Sequence, residues 1–128
     1  MSPETLDNLA EAIAHEEGFG PPENRPTRNN NPGDLRGEPG TWLGQAGTDA
    51  GGFCVFADVE HGRRALRIDL ANHAQRYPQQ TLGVFIAGDG KGWPGYAPAS
   101  DANDSAGYAH ALAAALGVTV DTRFADLP

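Results

Sequence analysis

The sequence predicts a mainly helical α+β domain in which a small antiparallel β-sheet lies beside a helical core. Three observations point there. Apolar residues recur at three- and four-residue spacing in segments that begin on capping residues and stop at glycine. The strand-like runs are short and fall together between residues 35 and 56. A chain of 128 residues is enough for one domain, expected to span 1–128, and its core needs no staples.

Each element follows from local chemistry. Ser2 can cap a first helix, Pro3 suits its first position, and Glu4 and Asp7 suit the positive end of its dipole. Leu6, Leu9, Ala10 and Ile13 form its apolar face, and Gly18 with Gly20 ends it. Residues 21–52 are dominated by Pro, Gly and Asn. Within them Arg28-Asn29-Asn30-Asn31-Pro32-Gly33-Asp34-Leu35-Arg36 reads as a tight turn entering a short strand, with Pro32 presetting its angle and Gly33 permitting a left-handed one. Trp42-Leu43 and Phe53-Cys54-Val55-Phe56 are the other strand candidates, giving three short strands in all. Asp58 can cap a long helix that ends at Pro78, and Thr81 a shorter one that ends near Gly88. A Gly/Pro/aromatic loop runs from Asp89 to Pro98, a further helix from Asn103–Ser105 to Gly117, and the tail from Asp121 to Pro128 allows one more turn.

Charge narrows the function classes. Nine Lys+Arg against 17 Asp+Glu give a net charge of −8 and a pI near 4.7. Nucleic acid and anionic membrane surfaces are poor main partners for such a chain, whereas neutral ligands, sugars and proteins remain open. No apolar run approaches the roughly 20 residues that cross a bilayer. The N-terminus lacks the basic and apolar regions of a signal peptide, so synthesis in the cytoplasm is expected. The single cysteine, Cys54, sits between apolar neighbours and reads as buried and inert. The histidines lack zinc-ligand spacing, and His73, on an apolar helix face, reads as a hydrogen-bonded core residue. Phosphate and dinucleotide loops are missing, so no metal and no cofactor is expected.

Three groups of residues carry candidate chemistry, each with a plainer alternative. Glu17 falls about 30° from the centre of the first helix's apolar face, against about 70° for Glu16. Removing water from a carboxylate raises its pKa, which suits a general acid. Alternatively Glu17 bends to solvent or caps a backbone group. The Asn29–Asp34 string offers amide donors and acceptors suited to sugar hydroxyls and N-acetyl groups, with Asp34 able to orient a water or stabilise positive charge. The same residues are ordinary turn formers. Trp93 and Tyr96 can stack on a pyranose face or simply seal a core beneath their loop. Arg28, Arg36, Arg63, Arg64 and Arg67 make the middle of the chain locally basic, to attract ligand carboxylates or to pair with the surplus acids.

Taken together, Ala12-Ile13-Ala14-His15-Glu16-Glu17-Gly18-Phe19-Gly20 and the Arg28–Arg36 string resemble small lysozyme-like domains of phages and prophages, related to goose-type lysozymes and soluble lytic transglycosylases. The resemblance continues through Phe53–Leu70, Tyr96-Ala97-Pro98 and Tyr108–Val118, covering roughly the whole chain. It implies a lysozyme-like fold and a peptidoglycan-cleaving activity. Glu17 would be the catalytic glutamate that protonates the glycosidic oxygen between N-acetylmuramic acid and N-acetylglucosamine. Lytic transglycosylases then use the same carboxylate to deprotonate the muramic 6-hydroxyl, whereas inverting hydrolases hold a water on a second acid, here Asp34 before Asp58. Asn30, Asn31 and Asp34 would position the glycan, and Tyr96 would line the cleft, with Trp93 a further candidate. The Gly-Leu-Met-Gln and Ala-Tyr-Asn-Ala-Gly signatures of lytic transglycosylases are not present, which leaves the reaction outcome open. The resemblance further implies delivery to the wall or periplasm by phage, holin or specialised secretion, or as part of a virion. Fold alone does not guarantee activity. The alternatives are a catalytically silent glycan-binding or structural module of a virion or secretion assembly, and a toxin-like effector with an immunity partner.

Overall fold

The computed structural model describes residues 1–20 and 23–128. The opening prolines of the Pro/Gly/Asn-rich stretch, Pro21 and Pro22, lie outside the described residues. The chain is mostly helical with one two-stranded antiparallel sheet, and it divides into two compact units, Ile13–Ala71 and Met1–Ala12 with Asn72–Pro128.

Helix α1 spans Pro3–Glu16. Ser2 caps it as expected, its Oγ accepting the Thr5 N–H at 3.1 Å. At the other end Gly18 adopts a φ of 78°. Gly18 N–H then donates to His15 O and Phe19 N–H to Ala14 O, both at 3.0 Å. That is a Schellman stop, and it makes Glu17 the C-cap residue and Gly18 the left-handed one that follows.

The Ile13–Ala71 unit holds α2 (Arg25–Arg28), β1 (Gln45–Thr48), β2 (Cys54–Phe56) and most of α3 (Val59–Arg76). The single turn of α2 falls within the Pro/Gly/Asn-dominated residues 21–52, for which the sequence reading named no helix. Asn24 caps it by accepting the Thr27 N–H at 3.2 Å, and Pro26 occupies its first turn. The strand expected at Trp42–Leu43 begins instead at Gln45. Trp42 O accepts the Gln45 N–H at 3.1 Å, closing a tight turn with Gly44 at φ 76°, and Leu43 is 64% exposed. Residues turning at that point have no sheet face to join. β1 and β2 pair Gln45 with Phe56, Gly47 with Val55 and Thr48 with Cys54, with an irregularity between Gln45 and Gly47. The third expected strand is reduced to one bridge, Arg36 to Phe53. Asp58 caps α3 through the His61 N–H at 2.9 Å, and Leu66 and Leu70 on that helix are buried. Cys54 is fully enclosed, and burial pushes its thiol pKa up.

The other unit holds α4 (Leu82–Ala87), capped by Thr81, and α5 (Ser105–Leu116), capped by Asp104 and stopped by Gly117 at φ 69°. The expected tail turn is a 3₁₀ turn at Phe124–Asp126, tied on by a bridge from Thr81 to Arg123. His73 is buried and donates Nε2 to Gln80 Oε1 at 2.6 Å. Its ring is 4.8 Å from that of Tyr77, 4.7 Å from Phe85, 4.5 Å from Trp93 and 5.3 Å from Phe124. Loss of hydration in this aromatic cage holds its pKa below the ordinary value for histidine. No helix among the described residues is long and apolar enough to cross a membrane.

Candidate functional site

The Asn-rich loop is ordered by its own side chains. Asn31 is 0% exposed. Its Nδ2 donates to Leu35 O and Cys54 O at 2.9 Å each, and its Oδ1 accepts the Leu35 N–H at 2.9 Å. Asn29 is buried, donating Nδ2 to Asp49 Oδ2 at 2.9 Å. Asn30 is half-buried and donates Nδ2 to Phe56 O at 3.1 Å. The left-handed residues of the loop are Asn30, at φ 51°, and Asp34, at φ 49°, in place of the expected Gly33. Asn and Asp are the non-glycine residues that tolerate this region, because their short polar side chains bond locally.

Asp34 belongs to an ion pair. Arg25 Nε donates to Asp34 Oδ1 at 3.0 Å and to Oδ2 at 3.2 Å, and Nη2 donates to Oδ2. The Asp34 side chain is only 8% exposed. Arg25 also lies over the Phe53 ring, 3.7 Å from its centroid. The bond to Asp34, with the charges of Asp34, Asp49 and Glu17, holds the Arg25 pKa above its ordinary value against the opposing cost of burial. Asp49 completes the cluster. Its Oδ1 accepts the Gly51 and Phe53 N–H groups at 2.9 Å each. The Phe53 amide above all, with the Asn29 side chain, holds its carboxyl below the usual carboxylate range.

Glu17 is half-buried at the end of α1 and bears electrostatically on Arg25. Phe19, two residues on, has its ring 5.7 Å from the Arg63 guanidinium carbon. One unit therefore brings together Glu17, Asn30, Asn31 and Asp34. Two of these differ from the roles expected of them. Asn31 is sealed into the framework and presents no amide to a ligand. Asp34 has both carboxylate oxygens on Arg25 and a side chain only 8% exposed, so it serves first as the partner of that arginine.

Trp93 and Tyr96 belong to the other unit. Trp93 donates Nε1 to Phe85 O at 2.9 Å, and its indole stacks on Phe85 at 6.0 Å and 8°, so it seals the aromatic core. Tyr96 is half-buried, its ring 5.3 Å from Phe85 and 6.5 Å from Tyr108. Among the described residues no group of three His, Cys, Asp or Glu side chains could hold a metal ion.

Arg25 and Asp49 are the members of the cluster that sequence reasoning missed. Asp49 was within reach: in Asp49-Ala50-Gly51-Gly52 an Asp two residues before Gly marks a side-chain-closed turn. Nothing local distinguishes Arg25 from the other arginines. No family model, no curated protein and no solved structure matches the chain.

Proposed function

We propose that the chain cleaves peptidoglycan as a lysozyme-like enzyme, acting on the β-1,4 bond between N-acetylmuramic acid and N-acetylglucosamine with Glu17 as general acid/base. The observation that carries this reading is the place of Glu17, half-buried at the end of the apolar face of α1 in the unit that also holds Asn30 and Asp34.

A half-buried glutamate suits proton transfer to a leaving oxygen. In the proposed reaction Glu17 gives its proton to the glycosidic oxygen as the bond to muramic C1 breaks. The muramic 6-hydroxyl then bonds to C1 and returns its proton to the Glu17 carboxylate, leaving a 1,6-anhydro ring and a regenerated acid. An inverting hydrolase needs a second carboxylate to activate water. With Asp34 occupied, the single-carboxylate route fits better, and the lytic transglycosylase outcome is the one we favour. Asn30 retains a side-chain oxygen with no hydrogen bond among the described residues, an acceptor suited to a sugar hydroxyl or N-acetyl N–H. Action at the wall, by phage delivery, holin or specialised secretion, belongs to the same reading.

The test is mass spectrometry of purified peptidoglycan digested with wild-type protein and with Glu17→Gln. Anhydromuramic products are expected from the wild type. They should fall by about 100-fold or more in the variant, the usual span for a general acid/base, with a thermal midpoint equal or higher. A fully active Glu17→Gln protein removes the assignment. A well-folded wild type that releases nothing from several wall types transfers the reading to a silent binding module.

A further inference from the structure

Arg36 is left over by this chemistry, yet it is built into the same cluster. It is exposed, and its guanidinium carbon lies 4.1 Å from the centroid of the Phe53 ring, the ring that also carries Arg25. Arg36 Nη1 donates to Gly51 O at 3.0 Å. The planar group is thus held at two points, an aromatic face and a backbone carbonyl, which removes much of the rotamer freedom an exposed arginine otherwise has. Gly51 and Gly52 shape this ledge. A Cβ on Gly51 would approach the Phe53 ring to 3.3 Å, and one on Gly52 would touch Arg36 Nη1 at 3.7 Å.

The two arginines on Phe53 differ in one respect. Arg25 is filled by Asp34, whereas no carboxylate among the described residues pairs with Arg36, and its Nε and Nη2 donate to none of them. Acids outnumber Lys+Arg by 17 to 9 in this chain, so a fixed, unpaired guanidinium is not explained by a shortage of partners. A guanidinium held flat with an open edge offers two parallel N–H donors, the fork that matches a carboxylate.

We infer that Arg36 recognises a carboxylate of the ligand. If the chain cleaves peptidoglycan as proposed, that carboxylate belongs to the peptide stem, so that stem-bearing strands with free carboxylates are the preferred substrate. Arg36 shares Phe53 with Arg25, and the charge of Glu17 acts on Arg25. The neutral N-acetyl sugars offer no anion, and the stem does.

Two measurements test this. In the first, wild-type protein, Arg36→Gln and Arg36→Lys digest peptidoglycan before and after its stem carboxylates are converted to amides. The wild type should prefer the free-carboxylate wall by about tenfold in kcat/KM, mostly through KM, as expected for one charge-assisted pair. That ratio should fall towards one in Arg36→Gln and recover only in part in Arg36→Lys, which restores charge without the fork. A structural role for Arg36 would lower both rates and preserve the ratio. In the second, folded Glu17→Gln protein is titrated with a soluble stem tripeptide and with its amidated form, following the Arg36 Nε–H resonance. The carboxylate form should shift the resonance to saturation and the amide should not. Cleavage with no preference, or a resonance that ignores the carboxylate peptide, overturns the inference and leaves the glycosidase reading standing. A saturating shift in a protein that cleaves no wall does the reverse.

Discussion

Asn31 and Asp34 stand three residues apart in one loop, and each commits its polar side chain to the protein. Asn31 bridges the Leu35 N–H and C=O and the Cys54 C=O. Truncating it should leave buried groups unsatisfied, at about 1–3 kcal/mol for each one that finds no new partner. Asn31→Ala is accordingly expected to lose about 3 kcal/mol, read as a fall in the denaturant midpoint at constant slope, whereas Asn31→Asp should not recover the lost donor. The amide run was legible as turn chemistry. Which amide is sealed and which faces out was not, because that depends on the Cys54 carbonyl, more than twenty residues away. The same holds for Arg25: eight arginines look alike in sequence, and only the fold decides which one meets Asp34.

At the scale of the element, the longer helices and the strand at Cys54–Phe56 were legible, whereas the single turn of α2 and the place of β1 were not. Each helix carries its own start and stop. Ser2, Asp58 and Thr81 cap as their residue types allow, and Gly18, Gly88 and Gly117 end the helices they follow. The strands are too short to show a period, and at Trp42–Leu43 a turn overrides their apolar character. Helix α3 meets the Asn loop backbone to side chain-free backbone. A Cβ on Gly62 would sit 1.9 Å from Asn30 O, a distance no side chain occupies. Gly62→Ala, a change that favours a helix by about 1 kcal/mol in isolation, should therefore destabilise this protein by about 3 kcal/mol or more. If Asn30 contacts the glycan as proposed, its displacement should weaken that binding as well. Calorimetric unfolding of the variant checks the sign, since propensity alone would raise the midpoint.

For the molecule as a whole, the titration pattern sets the acid limb of stability. His73 is held neutral, with its folded pKa below the value of about 6.5 it has when unfolded. The unfolded chain takes up a proton there that the folded one refuses, so this contribution is complete above pH 6.5 and is lost as pH falls. Asp49, Asp58 and Asp89, their folded pKa values held below 3.8 by backbone N–H donors, act with the same sign in a lower window: they stabilise above that value and stop doing so as pH falls through the folded one. Asp69, raised by burial, opposes them, because its ionised form costs stability that acid relieves. The thermal midpoint should thus fall in two steps as pH drops, the first below about pH 6.5 and the second below about pH 3.8. In His73→Gln the midpoint should start lower and the first step should vanish. A wild-type midpoint that stays level down to pH 5 would count against the cage described for His73.

One buried group lends itself to a different use. Cys54 lies fully enclosed in β2, beside the carbonyl that Asn31 holds, with its thiol disfavoured from ionising. An alkylating reagent can reach that sulfur only when the strand detaches, so its rate of capture is a stopwatch on how often the Asn loop and its sheet come apart. With one cysteine in the chain, the stopwatch is single-handed: every labelled molecule records an opening at this one place.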